Sequence, residues 1–596
     1  MNALLKPDTL PQWRLDDLYV DRDDPRIEAD LARARAANGK LAAMEGQFLA
    51  ARAEPATLGE RLADGVALYE DATNALWSVG AYAALAASTS HDDPAWAKFE
   101  ADFRARSATI AAETLFFTLE LNQLDDAEIE AALAASPAAQ RWRPWLRRVR
   151  LSRPHELSAD LERMLIDRGP AVANWSRLSE ETLAKLVAHV GRETLTLSET
   201  LNRMSDPDAK RRKQAAQGLS RALEERTSTL ALCLNTLAFE KQVEDRWRRY
   251  PDPAAARHIS NEVDPESVAA LEAAVVESYA AVSHRYYRLK AKAMGRTTLD
   301  HWDRNAPLDA GQPRTFAWTE ARSMVLDSFA SLAPRFADTA ESFFVQPWID
   351  ARPRPGKQSG AYSHPVTAER HPYVFMNYMG ERRDVLTLAH ELGHAVHQTL
   401  CAPLGTLLAD TPLTLAETAS IFGEGLVFER LLAEAKGPER RGLLAGKIED
   451  GVNTVVRQIA FHRFETRFHA ARAHGEVSPE EIGGIWIEIM GESLGPAVKL
   501  NPGYEHYWGY ISHFVHAPFY VYAYAFGDLL VRSLMEKRLA DPKGFAPLYE
   551  ALLAGGGSRT YVEALAPFGL DPREKSFWAA GMRQLERLVD EFEALV

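Results

Sequence analysis

The sequence predicts a mostly α-helical protein with one small β-sheet set beside a central helix, and three observations carry that expectation. Apolar residues recur three and four apart through long Ala-, Leu-, Glu- and Arg-rich stretches. Capping residues and prolines punctuate those stretches where helices start. One Pro- and Gly-rich interval, from Phe343 to Tyr378, breaks the pattern and holds short β-prone pieces.

Taken in order, Asp24-Pro25 opens a run with Ile27, Leu31, Leu41 and Phe48 in helical phase. The pattern returns near 56–88, 93–121 and 207–246. It is clear over 263–293, where Asp264 is placed to cap and Pro265 occupies the first turn. Between Phe343 and Tyr378, Phe343-Phe344-Val345 and Tyr373-Val374-Phe375-Met376 read as strands of a small sheet or hairpin, and a helix follows near Glu381. A boundary falls near Arg150–Pro154 or in the Ser205–Asp208 turn. It divides an N-terminal helical lobe, 1–200, from a larger segment, 201–596.

A chain of 596 residues exceeds one simple core, and 46% apolar with 26% charged residues rules out wholesale disorder. A net charge of -14 argues against nucleic acid and anionic lipid as generic partners. The basic stretches Arg141–Arg150 and Lys210–Lys213 then read as solvated helix faces paired with acids. Cys233 and Cys401 are too few for a disulfide framework or a thiolate zinc cluster. Both read as buried thiols, with Cys401 a candidate for oxidation sensitivity. The opening MNALLKPDTLPQWRLDD lacks the apolar core of a secretory signal, and no stretch reaches the roughly 18 apolar residues of a membrane span. A cytoplasmic protein with no membrane contact and no obligate protein partner is the expectation.

The chemistry concentrates in His390-Glu391-Leu392-Gly393-His394, an H-E-x-x-H pattern that chance supplies about 0.04 times in a chain with 17 histidines. Residues four apart on a helix stack one turn above each other, so His390 and His394 can present two imidazoles to one metal ion. Glu391 is turned about 100° away, beside the metal, where a base would take a proton from water. The preceding Val385–Ala389 reads as buried helix, where unpartnered polar groups cost several kcal/mol.

A third protein ligand is then needed. The next helical stretch supplies Glu417 and Glu424, seven apart and therefore near one face, among small and apolar neighbours. One carboxylate can bind the metal and the other can orient a ligand imidazole; Glu417 is assigned the first role and Glu424 the second. Near the C-terminus, His506–Tyr524 is dense in His and Tyr. It reads equally as an aromatic core segment or as a set of donors for an oxyanion.

With these residues in hand, the sequence resembles the M3 family of zinc metallopeptidases, oligoendopeptidase F group. The resemblance rests on H-E-L-G-H at 390–394 and A-E-T-A-S at 416–420. It is supported by Leu10-Pro11-Gln12-Trp13, Pro154–Ser158, Pro353–Lys357, Gly360-Ala361-Tyr362 and His371–Val374. It implies a two-lobed helical zincin with a deep central channel and a small sheet beside the zinc helix. An oligoendopeptidase F N-terminal-like segment would span about 115–190, and the M3-like catalytic domain 201–596. It further implies one zinc ion held by His390, His394 and Glu417, Glu391 as catalytic base and Glu424 behind the ligands. Gly360, Ala361 and Tyr362 would form an edge strand that pairs with peptide backbone. Counting from His513 without a gap makes His513 and Tyr522 the catalytic donors. Pro518 falls where another tyrosine is expected, so His516, Tyr520 and Tyr524 stand as further substrate-binding residues.

The function implied is zinc-dependent cleavage of internal bonds in short unstructured oligopeptides, by Glu-assisted attack of zinc-bound water. An exopeptidase would need a clamp for a chain terminus, which spacing does not locate. The rival is a helical interaction protein with a structural zinc site, for which His397 is the nearest fourth ligand.

Overall fold

The computed structural model describes residues 10–308 and 314–596. The opening residues 1–9, part of the stretch that lacks a signal-like apolar core, lie outside them. The fold is mostly helical, with three very small sheets among the described residues. No helix described is long and apolar enough to cross a membrane.

The chain forms two compact units, each built from three stretches. The first comprises the described residues of Met1–Arg153, Pro313–Leu431 and Ala540–Gly569; the second those of Pro154–Gln312, Leu432–Leu539 and Leu570–Val596. The first crossing between them falls between Arg153 and Pro154.

In the first unit the helices Pro25–Ala42 and Pro55–Ser88 both start with proline in the first turn, and at the first the Asp24 carboxylate also caps by accepting the Arg26 N–H at 2.9 Å. One core gathers Phe48, Leu62, Val66, Phe117, Leu133 and Trp145. Another gathers Trp13, Leu31, Val79, Tyr82 and Leu85 with Tyr373 and Phe375 of the sheet. That sheet has the order Ile349–Asp350, Tyr373–Phe375, Tyr362–His364, its central strand parallel to the first and antiparallel to the last. Tyr362 pairs with Phe375 and His364 with Tyr373, which leaves Tyr362–His364 as an edge. Phe343-Phe344-Val345 is not a strand: it closes the helix Pro334–Val345, in which Phe336, Ala340 and Phe343 are buried at i, i+4 and i+7.

The second unit opens with the helix Ala159–Ala184 and a hairpin, Val187–Val190 with Glu193–Thr196, turned at Gly191, whose φ is 64°. The helices Ala209–Glu224, Thr227–Arg248 and Pro265–Ser278 follow, the last capped by Asp264 through the Ser267 N–H at 2.9 Å. Two π-helical turns, Ala280–His284 and Val452–Val456, interrupt otherwise continuous helix; the second leads into Arg457–Arg472. The helices Pro479–Leu494, Tyr522–Ala540 and Lys575–Glu593 complete it. The basic stretches are paired with acids, Arg143, Arg147, Arg148 and Arg150 with Glu130, Glu563, Asp410 and Asp126, and Arg211 and Arg212 with Asp206 and Asp303, but they are not solvated faces throughout: the Arg150 side chain and Arg212 are buried.

Candidate metal centre and its neighbours

The helix Arg382–Cys401 carries the H-E-x-x-H residues through the interior of the first unit. Its start is fixed by Glu381 and Asp384, whose carboxylates exchange hydrogen bonds with each other's backbone N–H groups. Val385, Leu388, Leu392, Val396 and Leu400 are buried around it. His390 and His394 lie one turn apart, with ring centroids separated by 5.0 Å.

Glu417 stands at the junction between the short helix Leu413–Ala416 and the helix Thr418–Glu434. Its Oε2 lies 3.5 Å from Nε2 of His390 and 3.5 Å from Nε2 of His394. The buried Ser420 hydroxyl donates to that same oxygen at 2.7 Å. On the far side of the His390 ring, Nδ1 faces Glu424 Oε2 at 3.5 Å. The Ala416 carbonyl accepts a hydrogen bond from His394 and another from His397. Each of the two imidazoles thus turns Nε2 toward Glu417, and its other edge is engaged by a second group.

These residues fit a metal ion. Two imidazoles and one carboxylate offer three ligand atoms within 4.8 Å of one another, the donor set of a catalytic zinc site with an open position. His397 is not part of that group: it is buried, and burial lowers its pKa to about 4. The fourth protein ligand that a structural site needs is therefore absent among the described residues.

The electrostatics separate the roles. Burial opposes a charge on His390, but the carboxylates of Glu424, Glu417 and Glu391 outweigh it and raise its pKa. Burial lowers His394 to about 4. Glu391 is raised to about 7, mainly by burial, with Glu417 adding repulsion while His390 and a hydrogen bond from the Ser363 N–H oppose. Ser363 belongs to the edge strand, so the glutamate and the strand are neighbours. The strand's own side chains are engaged: Tyr362 stacks on Phe375 at 4.8 Å and donates to Ser88 at 2.7 Å. Gly360, with φ of 94°, and Ala361 lead into it.

The His and Tyr cluster lies in the second unit. His513 Nε2 and the Tyr524 hydroxyl are 3.1 Å apart, and the rings of Tyr520 and Tyr524 meet edge to face at 5.4 Å. Tyr524 is 39% exposed. His516 pairs with Glu180 at 3.2 Å. Tyr522, expected to face a substrate, is instead fully buried: its hydroxyl accepts from Asn261 at 2.9 Å and is 3.0 Å from Nδ1 of His258. Cys401 is buried as well, and burial pushes its thiol up to about 11, which disfavours the thiolate that oxidation requires.

Sequence reasoning missed Ser420, Ser363 and Gly393. Only Gly393 carried a signal, as a glycine inside a helix between two ligand candidates.

A helix-borne His-Glu-x-x-His pair faced by a glutamate from the head of a later helix, in a mostly helical scaffold, is the frame of a metallopeptidase. The chain belongs to peptidase family M3, whose model matches residues 202–584, while the model of oligopeptidase F matches residues 120–187. The group B oligopeptidase PepB of Streptococcus agalactiae is 26% identical over 540 residues, 88% of each chain. An oligoendopeptidase F homolog of Lactococcus lactis is 30% identical over 388 residues, 65% of this chain and 64% of the relative. The fold is that of oligoendopeptidase-F from Enterococcus faecium, with TM-score 0.69 at 20% identity over 96% of this chain and 99% of that one.

Proposed function

We propose that this metallopeptidase is a zinc-dependent endopeptidase of short unstructured oligopeptides. The observation that carries the reading is the placement of Glu391 beside the His390, His394 and Glu417 donor set, next to the Ser363 N–H of an edge strand. The names of the relatives, oligopeptidase and oligoendopeptidase, support the substrate class.

His390, His394 and Glu417 would hold the ion. When bound, zinc supplies Lewis acidity, which acidifies water and polarises a peptide carbonyl. Glu424 and the Ala416 carbonyl keep the imidazoles turned, and Ser420 holds the Glu417 oxygen. Glu391, whose carboxyl titrates near neutral pH, takes the proton from the attacking water on its carboxylate and returns it to the leaving amine. The edge strand Tyr362–His364 would align the substrate backbone by strand addition. His513, Tyr520 and Tyr524 would donate to the substrate carbonyl as negative charge builds on its oxygen. Tyr522 is withdrawn from that role by its burial.

The test is an internally quenched peptide of about ten residues, blocked at both ends so that only internal cleavage reports. Cleavage that stops on chelation and returns with zinc supports the reading. Cleavage restricted to unblocked peptides would replace it with an exopeptidase. A chain that retains zinc and cleaves nothing would replace it with a structural site.

A further inference from the structure

In the second unit, the peptide group joining Pro518 to Phe519 is gripped at both of its polar atoms. Its carbonyl oxygen accepts a hydrogen bond from Arg257 Nε at 3.2 Å, and its N–H donates to Glu465 Oε1 at 2.7 Å. The two side chains come from distant parts of the chain: Arg257 from the short helix Ala255–Ser260, and Glu465 from the helix Arg457–Arg472.

Phe519 has a φ of 60°, in the left-handed region that a residue with a Cβ enters only when its surroundings impose it. The surroundings do so here. The Phe519 ring is buried against His469 at 4.9 Å and His462 at 5.9 Å, and the Arg257 guanidinium lies over the Tyr520 ring at 5.5 Å. Glu465 is buried to 2% exposure, and its Oε2 has no hydrogen-bond partner. A carboxyl sunk in the interior to hold one backbone N–H is a costly device, so its use at a strained turn calls for an explanation beyond helix packing.

The turn lies directly before Tyr520, one helical turn before Tyr524 and just after the helix His513–His516. Rotating the 518–519 peptide would swing the Tyr520 side chain and shift the start of the helix Tyr522–Ala540, separating Tyr524 from His513. We propose that Glu465 and Arg257 are positioning residues: by clamping the Pro518–Phe519 peptide they hold His513, Tyr520 and Tyr524 in the geometry that meets a substrate carbonyl. The inference rests on the reading of those three residues as substrate donors.

The experiment is steady-state cleavage of the quenched peptide by the zinc-loaded full chain, with Glu465→Gln, Glu465→Leu, Arg257→Met, Tyr524→Phe, Tyr520→Phe and His513→Ala made singly. The Glu465→Leu and Arg257→Met changes are also combined with Tyr524→Phe. Glu465→Gln keeps an acceptor oxygen for the Phe519 N–H and retains kcat within about threefold. Glu465→Leu and Arg257→Met lower kcat on the order of tenfold or more, with KM and bound zinc within about twofold. Tyr524→Phe, which lowers kcat alone, costs little further in either background, because the donor is already displaced. A merely structural role for Glu465 would give multiplied losses in the double variants, or an unchanged kcat in Glu465→Leu, and either result overturns the inference. If Tyr524→Phe, Tyr520→Phe and His513→Ala each keep wild-type kcat, the donor reading itself fails and the inference falls with it. Should Glu465→Leu not fold, the Arg257→Met pair decides the question from the other side of the peptide.

Discussion

Gly393 and Ala419 are so close that a Cβ on the glycine would sit 2.4 Å from the Ala419 carbonyl oxygen and 2.7 Å from the Ser420 Cα. The helix that carries Glu424, with Glu417 directly before its start, reaches the two histidines because Gly393 between them has no side chain. The obstacles are backbone atoms, so neither helix can relieve the contact by turning a side chain.

Gly393→Ala therefore forces the two helices apart. The expected outcome is a loss of about 1–3 kcal/mol of stability and a drop of at least about tenfold in zinc affinity, since Glu417, directly before the displaced helix, moves with it. A thermal scan of the apo chain and a zinc titration check the two parts separately. Unchanged values in both would mean that the backbone yields more easily than its packing implies.

Tyr522→Phe and Tyr524→Phe should behave oppositely. Removing the Tyr522 hydroxyl leaves Asn261 and His258 without their buried partner, a loss of about 1–3 kcal/mol, and leaves kcat unchanged. Removing the partly exposed Tyr524 hydroxyl leaves stability unchanged and lowers kcat. Thermal midpoints and single-turnover rates for the pair would expose a reversed assignment at once.

Asp303 is fully buried and receives Arg212 through Nε at 3.1 Å and through a terminal nitrogen at 2.7 Å, with Arg296 on its other oxygen. Asp303→Asn strands the buried Arg212 charge, and a cost of about 3–5 kcal/mol is expected. The matching double change, Arg212→Met with Asp303→Leu, should be milder because no charge is left behind. A double variant as unstable as the single one would show that shape, rather than charge, governs this site.

Burial raises the Glu465 carboxyl to about 8. The folded chain therefore binds a proton that the unfolded chain, with an ordinary glutamate near 4.3, has released over the interval between those values. This stabilisation is fully present below the ordinary glutamate pKa and is lost as pH rises to about 8. His462 and His469, both lowered to about 3 by burial, act in the other direction: their contribution is present above about 6.5 and is lost as pH falls. Glu465→Gln removes only the first effect, so its thermal midpoint relative to wild type should be higher at pH 8.5 than at pH 5. A difference that does not vary with pH would show that the carboxyl titrates normally.

The residues of the candidate metal site were legible in the sequence because they are local: His390, Glu391 and His394 sit on one helix, Glu417 directly precedes the helix Thr418–Glu434, and Glu424 lies within it. Tyr522 was misplaced for a physical reason: the left-handed Phe519 and the clamped peptide before it break the helical phase, so a gapless count from His513 lands on a core residue. Phe343-Phe344-Val345 looks like a strand by composition, but the proline at 334 and the buried spacing of Phe336, Ala340 and Phe343 decide for a helix. The hairpin at 187–196 escaped because its strands are four residues long and only Gly191 marks the turn. Arg257 and Glu465 left no trace in the sequence, since what joins them is a single peptide group far from either along the chain.

The most direct measurement compares wild type with Glu391→Gln for zinc content and for cleavage of the blocked, quenched peptide. One zinc per chain in both proteins, with turnover in the variant lower by at least about 100-fold, is the predicted result, because in the proposed mechanism Glu391 moves the proton while His390, His394 and Glu417 hold the metal. A Glu391→Gln chain that turns over peptide at the wild-type rate would contradict it.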